Sequence, residues 1–172
     1  LGEAAGTVIL SSNKSFSKGI KITGGSVSND ANHISGPSRT GEELYQAIQK
    51  AMKDAGVVST DIDFISAHGT ATLYNDEMES KAINLASMQT VPVNSLKGYY
   101  GHTLGAAGLI EAVACIHSLK EDTVLPTIGF TKLGVPMPLN VSNILIKKTL
   151  QHCLKTASGF GGCNAAVVMS KQ

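Results

Sequence analysis

Short apolar runs, each bounded by glycine or polar residues, predict buried β-strands along the chain. DFISA (residues 63–67) and VPVNS (residues 91–95) are two such runs, and LKTASGF and AAVVMS are two more near the end of the chain. An apolar run at residues 6–10 also predicts a strand, and the alternation in IKITGGSVSN (residues 20–29) predicts another. We therefore expect at least one β-sheet.

Apolar residues at helical spacing predict three helices between these strands. The first is expected to begin at Thr40, which has the spacing of a capping box with Glu43, and to end at Gly56. The second is expected to begin with Asn75 as its N-cap and to continue through DEMESKAINLAS. The third is LGAAGLIEAVACIHSLKE, whose small residues in the first turns allow neighbouring backbone to approach closely.

Alternating strands and helices favour parallel βαβ units with helices on both faces of a sheet. The last strands are close enough in sequence to pair antiparallel. We find no internal repeat, no low-complexity tract and no linker long enough to separate two domains, so residues 1–172 are expected to form one α/β domain. Functional groups in such sheets gather beyond the carboxyl ends of the strands. His68, Lys97 and the GFGG segment (residues 159–162) follow predicted strands.

Composition and charge argue against several kinds of partner. The chain has 14 basic and 13 acidic residues, a formal net charge of +1 and no run of either sign, so neither nucleic acid nor an anionic membrane is expected. No apolar stretch reaches the roughly 18 residues of a membrane span. The first residues lack the features of a signal peptide, which favours a cytoplasmic protein. Cys115, Cys153 and Cys163 are irregularly spaced and are expected to be free thiols.

Three segments place polar, reactive or glycine residues directly after an apolar strand. They are HGTATLYND (residues 68–76), NSLKGYYGHTLGAAG (residues 94–108) and SGFGGCNAA (residues 158–166). Taken singly, each has an ordinary structural explanation, because a histidine at a strand end is more often structural than catalytic and paired glycines usually form turns. Together they bring two histidines and a lysine to the ends of neighbouring strands, where the side chains could converge.

Two histidines in one dry site suit the stabilisation of a developing oxyanion. A neutral imidazole N–H can donate to an enolate oxygen, and two such donors, His68 and His102, would form an electrophilic clamp. Metal binding is the alternative use of paired histidines. No third ligand has suitable spacing and Glu77 lacks an HExxH frame, so metal binding is the weaker interpretation. No cofactor is expected.

The three segments, in this order and spacing, resemble the signature blocks of the C-terminal half of β-ketoacyl synthases in the thiolase superfamily. The blocks are HGT-x-T, K-x-x-x-G-H-x-x-G-A-A-G and GFGG-x-N, and LGEAAG resembles the G-x-G-x-G-A segment at the start of that half. The resemblance implies a thiolase-like half with α-β-α layers and a mixed, mainly parallel five-stranded sheet. It also implies that residues 1–172 are the C-terminal domain of a longer protein, whose N-terminal half is absent from this sequence.

The resemblance further implies decarboxylative condensation in fatty acid or polyketide and polyene biosynthesis. Enzymes of this family load an acyl group onto a cysteine and decarboxylate a malonyl thioester, whose enolate attacks the acyl group. His68 and His102 match the histidines that bind the malonyl carbonyl, and Lys97 matches the lysine that organises the site. Thr70 and Thr72 belong to the HGT-x-T block and are given a supporting role.

Further supporting roles follow from the same resemblance. Glu111 matches a buried glutamate that pairs with the active-site network, with packing as the alternative role. Phe160 matches a phenylalanine that gates access to the nucleophile, and Gly161 and Gly162 are expected to give its loop freedom to move.

The family's nucleophilic cysteine belongs to the absent N-terminal half, and none of the three cysteines here is expected to replace it. The chain alone is therefore expected to be inactive in condensation. The implied partners are acyl carrier protein with phosphopantetheine-linked acyl and malonyl groups, the missing half, and a second subunit in a homodimer or heterodimer.

Departures from the family pattern surround the acyl pocket and its gate. Leu73, Tyr74 and Asn75 stand where proline and glycine are common, and Ser158 stands where many members have a second phenylalanine. These changes bear on substrate chain length and extender preference rather than on the reaction.

Three alternatives remain open. A non-catalytic chain-length factor is disfavoured by the retained histidines and lysine. A stand-alone binding domain is disfavoured by the apolar face that half an enzyme would expose. A synthase primed by acyl-CoA is disfavoured because such enzymes use histidine and asparagine in place of two histidines.

Overall fold

The computed structural model describes residues 1–16, 19–32 and 34–172. The strands in these residues are β1 (Ile20–Asn29), β2 (Phe64–Ser66), β3 (Pro92–Asn94), β4 (Thr123–Val124), β5 (Asn140–Val141), β6 (Ile146–Lys147), β7 (His152–Gly159) and β8 (Cys163–Lys171). The helices are α1 (Glu42–Ala55), α2 (Leu73–Leu85), α3 (Lys97–Tyr100) and α4 (Ala107–Lys120), with short 3₁₀ turns at Lys14–Phe16, Ser59–Asp61 and Leu104–Ala106. No helix in this part of the chain is long and apolar enough to cross a membrane.

The main sheet is mixed, and its order is β1-β8-β7-β2-β3-β5. β2 pairs in parallel with β3 and β7, and β3 pairs in parallel with β5. β8 pairs antiparallel with β7 and β1, while β4 and β6 form a small separate antiparallel sheet. The predicted layered α/β fold is confirmed, as is antiparallel pairing of the last strands. The main sheet has six described strands instead of five, because the two residues of β5 extend it beyond β3.

Helices cover both faces of the main sheet, and strand alternation divides the apolar side chains between two cores. On β7, Leu154 faces α1 and α2, whereas Cys153 faces α4. The first core also holds Leu44, Ile48, Met78, Ile83 and Val168. The second also holds Phe64, Cys115, Leu119, Leu150 and Met169. A strand between two helix layers must therefore bury side chains on both faces.

Parallel pairing brings the carboxyl ends of β2, β3 and β7 to one edge of the main sheet. His68 lies two residues beyond β2, Lys97 lies three residues beyond β3, and the Phe160 turn follows β7. Residues far apart in sequence thus emerge at the same edge, where functional groups of α/β sheets usually gather.

Residues 6–10 are not a strand, contrary to the prediction from their apolar pattern. They belong to neither sheet, and Ile9 and Leu10 are exposed. A strand requires a neighbouring strand for its backbone hydrogen bonds, whereas Gly6 lies against the side chains of Leu109 and Ile110 on α4. Apolar sequence alone is therefore insufficient for a strand at this position.

The first two helices begin at different residues from those predicted. Gly41, not Thr40, is the N-cap of α1, with φ 77° and no side-chain cap, so the predicted capping box is wrong. A Cβ at Gly41 would lie 2.6 Å from the backbone oxygen of Met78, because α1 starts against the backbone of α2. The predicted end is confirmed, with Gly56 as a left-handed C-cap. α2 begins at Leu73, so Asn75 lies within its first turn and is not the N-cap.

Helix α1 packs directly onto β1 at Gly24. A Cβ at Gly24 would lie 2.2 Å from the backbone oxygen of Ala51 and 2.6 Å from the backbone nitrogen of Ala55. A Cβ at Gly25 would have no neighbour nearer than 3.8 Å. The strand therefore requires glycine at the first position and tolerates a side chain at the second.

We expect Gly24→Ala to lower the free energy of unfolding by about 1–3 kcal/mol, since α1 must move away from the sheet. The matched control Gly25→Ala should change it by less than about 0.5 kcal/mol. Urea unfolding of the three proteins measures the difference, and equal effects of the two substitutions would contradict direct packing at Gly24.

Candidate active site

The backbone around His68 is held by hydrogen bonds to two neighbouring elements. The N–H groups of His68 and Gly69 donate to the Glu79 carboxylate on α2 at 2.8 and 2.6 Å. The Ser95 hydroxyl, which follows β3, donates to the carbonyl oxygen of Gly69 at 2.6 Å. Gly69 has φ 47°, and a Cβ there would lie 2.5 Å from the Ser95 Cβ. The histidine therefore leaves β2 along a tightly constrained path.

Glu79 is a buried carboxylate with four hydrogen-bond donors. In addition to the two backbone N–H groups at His68 and Gly69, it accepts from the Asn75 side-chain amide at 3.0 Å and from the Thr156 hydroxyl at 3.1 Å. Several donors are needed to offset the desolvation of a buried carboxylate. Glu79 thus ties the segment that carries His68 to both α2 and β7.

His102 lies beyond α3, and its ring is oriented by the backbone. The N–H of Leu104 donates to Nδ1 of His102 at 3.1 Å, with Leu104 in a left-handed conformation at φ 53°. The carbonyl oxygen of His102 accepts the N–H of Gly2 at 3.0 Å. Because Nδ1 of His102 accepts a hydrogen bond, the neutral ring carries its proton on Nε2.

Lys97 connects His68 to the buried carboxylate of Glu111. Its Nζ donates to Oε1 of Glu111 at 2.6 Å, lies 3.2 Å from Nδ1 of His68, and donates to the carbonyl oxygen of His68. An ammonium has three protons and cannot accept, so the three contacts match its donors. Nδ1 of His68 is therefore an acceptor, and the neutral ring carries its proton on Nε2.

The rings of His68 and His102 lie edge to face, with centroids 5.0 Å apart and an interplanar angle of 82°. Both rings line the same cavity of about 750 Å³. Each Nδ1 has a protein donor, so each neutral ring has its Nε2 proton available for a ligand. The pair is suited to donating two hydrogen bonds within one cavity.

Both imidazoles are neutral at pH 7. Burial lowers the pKa of His68 to about 3, with further lowering by the charges of Lys97 and Lys155. Burial also lowers the pKa of His102, and the Lys97 charge adds to this effect. For Lys97, burial lowers the pKa while the hydrogen bond and charge of Glu111 oppose the change. The site therefore favours neutral histidines beside a charged lysine.

Two threonines lie between this cavity and a second one of about 660 Å³. Thr70 and Thr72 line both cavities, and their hydroxyl oxygens are 2.7 Å apart. Ala71 between them has φ 57°. His102 also lines both cavities, whereas Lys97 lines only the second. The threonine hydroxyls are thus available as polar contacts beside the paired histidines.

Phe160 lies at the tip of the turn between β7 and β8 and lines the cavity that holds both histidines. The residue is 81% exposed. Gly161 and Gly162 have φ of 83° and 78°, a conformation that favours glycine. Gly161 N–H donates to the Ile34 carbonyl oxygen at 2.6 Å, and the Gly162 carbonyl oxygen accepts from Asp30 N–H at 2.9 Å. The turn is therefore hydrogen-bonded to the segment after β1.

The structure brings together four of the residues singled out from the sequence. His68, His102, Lys97 and Glu111 form a connected group, and Glu111 is completely buried on α4. The remaining five, Thr70, Thr72, Phe160, Gly161 and Gly162, lie in the two loops next to it, and the two threonines and Phe160 line its cavity.

Two buried charged residues of this site, Glu79 and Lys155, were missed in the sequence. Glu79 lies four residues before Ile83 on the apolar face of α2, and that spacing is the signal that could have revealed it. Lys155 lies between Leu154 and Thr156 on a strand covered on both faces. A lysine in such a strand must bury its charge, which is a second usable signal.

Cysteine and metal chemistry add no further centre in the part of the chain that the structure describes. Cys115 and Cys153 are free and buried, and Cys163 is free and exposed. Burial raises the pKa of the Cys153 thiol well above its usual value. No group of three or more His, Cys, Asp or Glu side chains among the described residues could hold a metal ion.

Comparison with known proteins identifies the family. A family profile described as "Beta-ketoacyl synthase, C-terminal domain" matches residues 20–131. The chain belongs to this family. It is 34% identical over 180 residues to 3-oxoacyl-[acyl-carrier-protein] synthase 2 of Rhizobium meliloti, a match that covers 99% of this chain and 42% of that protein.

Solved ketosynthases have the same fold as this β-ketoacyl synthase domain. A ketosynthase in complex with its chain length factor, from Xenorhabdus doucetiae, aligns with a TM-score of 0.85 and 30% identity over 91% of this chain and 40% of that chain. A ketosynthase bound to the hexaketide, in complex with its type II polyketide acyl-carrier protein, aligns with a TM-score of 0.81 and 31% identity over 89% and 38%. The chain therefore spans less than half the length of these relatives.

Glu79→Gln tests the carboxylate that holds the His68 backbone. In the glutamine variant, an NH2 group would replace one carboxylate oxygen and would face a hydrogen-bond donor that this oxygen now accepts from. We therefore expect the free energy of unfolding to fall by about 1–3 kcal/mol. The control Glu77→Gln, on the same helix, removes a partly exposed ion pair with Lys81 and should cost less than about 1 kcal/mol. Urea unfolding measures both variants, and an equally small effect at Glu79 would count against its holding role.

The low pKa of His68 predicts that stability falls as the solution becomes more acidic. The folded protein binds this proton only near pH 3, whereas the unfolded chain binds it near pH 6.5, so acid favours unfolding between these values. His68 should contribute a slope of about 1.4 kcal/mol per pH unit in this window.

Urea unfolding at pH 7, 6 and 5 measures that slope. His68→Asn should flatten the dependence, and the control His117→Gln, at an exposed position on α4, should keep the wild-type slope. A slope unchanged in His68→Asn would show that His68 titrates normally in the folded state.

Proposed function

We propose that residues 1–172 are the C-terminal domain of a 3-oxoacyl-[acyl carrier protein] synthase. The proposed reaction is decarboxylative Claisen condensation of an acyl-enzyme with malonyl-[acyl carrier protein] in fatty acid or polyketide and polyene biosynthesis. The observation that carries the proposal is the pair of neutral imidazoles, His68 and His102, which share one cavity and each keep a proton on Nε2.

The proposed role of the two histidines follows from their donor protons. When the malonyl carboxylate leaves as CO2, the electron pair of the broken C–C bond moves into an enolate whose negative charge lies on the thioester oxygen. Nε2–H donors from His68 and His102 would stabilise that oxygen in a water-poor site. The enolate carbon then attacks the acyl thioester, and the cysteine thiolate leaves as the 3-oxoacyl product forms.

Lys97 and Glu111 support the proposed reaction through the tautomer of His68. The Lys97 ammonium donates a hydrogen bond to Nδ1 of His68 and is itself held by the Glu111 carboxylate. A neutral ring held in this way can donate from Nε2 through the reaction. Thr70, Thr72 and Phe160 line the same cavity and are proposed to contact or admit the thioester arm.

The proposed partners are those that the family resemblance implies. One solved relative is a complex of a ketosynthase with an acyl-carrier protein, and another is a complex with a chain length factor. We propose an acyl carrier protein and a second subunit, in a homodimer or heterodimer, as partners of this protein. The nucleophilic cysteine is proposed to come from a segment outside this sequence, and a cytoplasmic location stays a prediction.

A chain-length-factor role is the second candidate, because a chain length factor accompanies the ketosynthase in one of the structural relatives. Such a subunit would shape the product tunnel without condensing substrates. The two candidates differ in the residue at the nucleophile position and in malonyl decarboxylation by the full-length protein.

In the full-length protein, His68→Ala and His102→Ala should each lower the rate of CO2 release from malonyl-[acyl carrier protein] by about 10²- to 10³-fold, since each removes one donor to the enolate oxygen. His117→Ala is the control and should keep the wild-type rate. The 172-residue chain alone should be inactive in condensation.

Unchanged CO2 release in both histidine variants would contradict the proposed clamp. A full-length wild-type protein that releases no CO2, yet sets product length when added to an active synthase, would instead identify a chain-length factor.

A further inference from the structure

A second buried lysine, Lys155, contacts the backbone that leads into His68, one of the two histidines of the proposed clamp. It is in the interior of β7, and its side chain is 4% exposed. Its Nζ lies 2.7 Å from Oε2 of Glu111, 3.1 Å from the carbonyl oxygens of Ser66 and Ala67, and 2.5 Å from that of Thr156. Four oxygen atoms therefore surround one buried ammonium.

Two of those oxygens belong to the backbone that leads into His68. Ser66 is the last residue of β2 and pairs with Lys155 across the parallel ladder, and Ala67 immediately precedes His68. Beyond the last ladder pair, a carbonyl group needs another donor if it is to remain buried. The Lys155 ammonium supplies that donor to both carbonyl groups and so fixes the end of β2 just before His68.

Lys155 also lies against the carboxylate that holds Lys97. The Glu111 carboxylate has one oxygen against each lysine: Oε1 is 2.6 Å from Nζ of Lys97, and Oε2 is 2.7 Å from Nζ of Lys155. Oε2 is in ionic contact with Lys155 without a hydrogen bond, whereas Oε1 accepts a hydrogen bond from Lys97, whose other protons are directed to the ring and carbonyl oxygen of His68. Without Lys155, both carboxylate oxygens would compete for Lys97.

We propose that Lys155 is a positioning residue for the reaction. Its ammonium holds Glu111 and the end of β2 in place, so that Lys97 continues to donate to Nδ1 of His68. The inference rests on the proposed function of His68. Lys155 lies behind the histidine and acts through Glu111, Lys97 and the backbone, without touching the substrate.

Charge and packing support this role. Lys155 is one of the cations that lower the pKa of His68, after burial and Lys97. A buried ion pair is often no more stabilising than apolar side chains of similar volume, so stability alone gives little reason for a lysine inside this strand. Its contacts with the groups that orient His68 provide one.

The test is Lys155→Met in the full-length protein, which keeps the length of the side chain and removes its charge and donors. We expect kcat for malonyl decarboxylation to fall about tenfold to a hundredfold, because the donor ring loses its alignment. KM should change by less than about threefold, since the substrate contacts remain. The pKa of His68, followed by NMR of ¹⁵N-histidine, should rise toward its usual value.

The matched control is Lys171→Met. Lys171 is on β8, and its Nζ pairs with Asp122 at 2.5 Å, a contact that involves neither His68 nor His102. This variant should keep both the wild-type kcat and the wild-type titration of His68. A drop common to both variants would indicate a general effect of removing a strand lysine and would overturn the proposal.

The His68 titration needs no turnover, so it separates this inference from the proposed function. If the wild-type protein releases no CO2, the proposed function fails while the titration still tests Lys155. If Lys155→Met keeps both the wild-type kcat and the wild-type titration, the positioning role is wrong.

A second variant tests the same role in case Lys155→Met does not fold. Lys155→Gln keeps amide donors for the carbonyl oxygens and should show a smaller loss of kcat with the same rise in the pKa of His68. If neither variant folds, NMR of ¹⁵N-lysine in the wild-type protein decides: an exchange-protected ammonium signal at Lys155 supports the proposal, and a freely exchanging one overturns it.

Discussion

The arrangement of this site depends on one buried carboxylate held between two ammonium groups. Glu111 is completely buried, and each of its oxygens meets a different lysine, Lys97 from α3 and Lys155 from β7. A carboxylate in this environment would be strongly destabilised if either partner were lost. Lys97 also contacts the ring and carbonyl oxygen of His68, and Lys155 contacts the carbonyl oxygens of Ser66 and Ala67 just before it, so the charge balance of Glu111 and the orientation of that histidine are coupled.

A second carboxylate holds the same segment from the opposite face of the sheet. Glu79 on α2 binds the N–H groups of His68 and Gly69, whereas the network of Glu111 on α4 reaches the carbonyl oxygens of Ser66 and Ala67 through Lys155. The backbone donors at the end of β2 are thus satisfied by a residue of α2, and the carbonyl acceptors by a residue of β7 that is itself paired with Glu111 on α4. This explains how an irregular segment between two helix layers can hold a side chain in one orientation.

The meeting of His68, His102 and Lys97 could be predicted because each follows an apolar run, and parallel strands end at one edge of a sheet. The burial of Glu79 and Lys155 could be inferred from local pattern, but their contacts with the backbone around His68 could not, because those contacts join different elements of the fold. The strand predicted at residues 6–10 and the cap predicted at Thr40 were wrong for a related reason. A strand needs a neighbour, and the start of α1 is set by close contact with α2, so both depend on tertiary structure.

Burial is the main reason that the pKa of His68 is low and its ring neutral, and the contact that fixes its tautomer acts in the same direction. The Lys97 ammonium lies 3.2 Å from Nδ1, so a proton placed there would remove an acceptor and bring two positive groups into contact. Protonation of His68 is therefore opposed by the same contact that leaves its only proton on Nε2. At His102, the uncharged backbone N–H of Leu104 donates to Nδ1 in the same way. Two different donors, one ionic and one from the backbone, thus give both rings the same tautomer, and an oxygen atom placed in their cavity can meet donors from both.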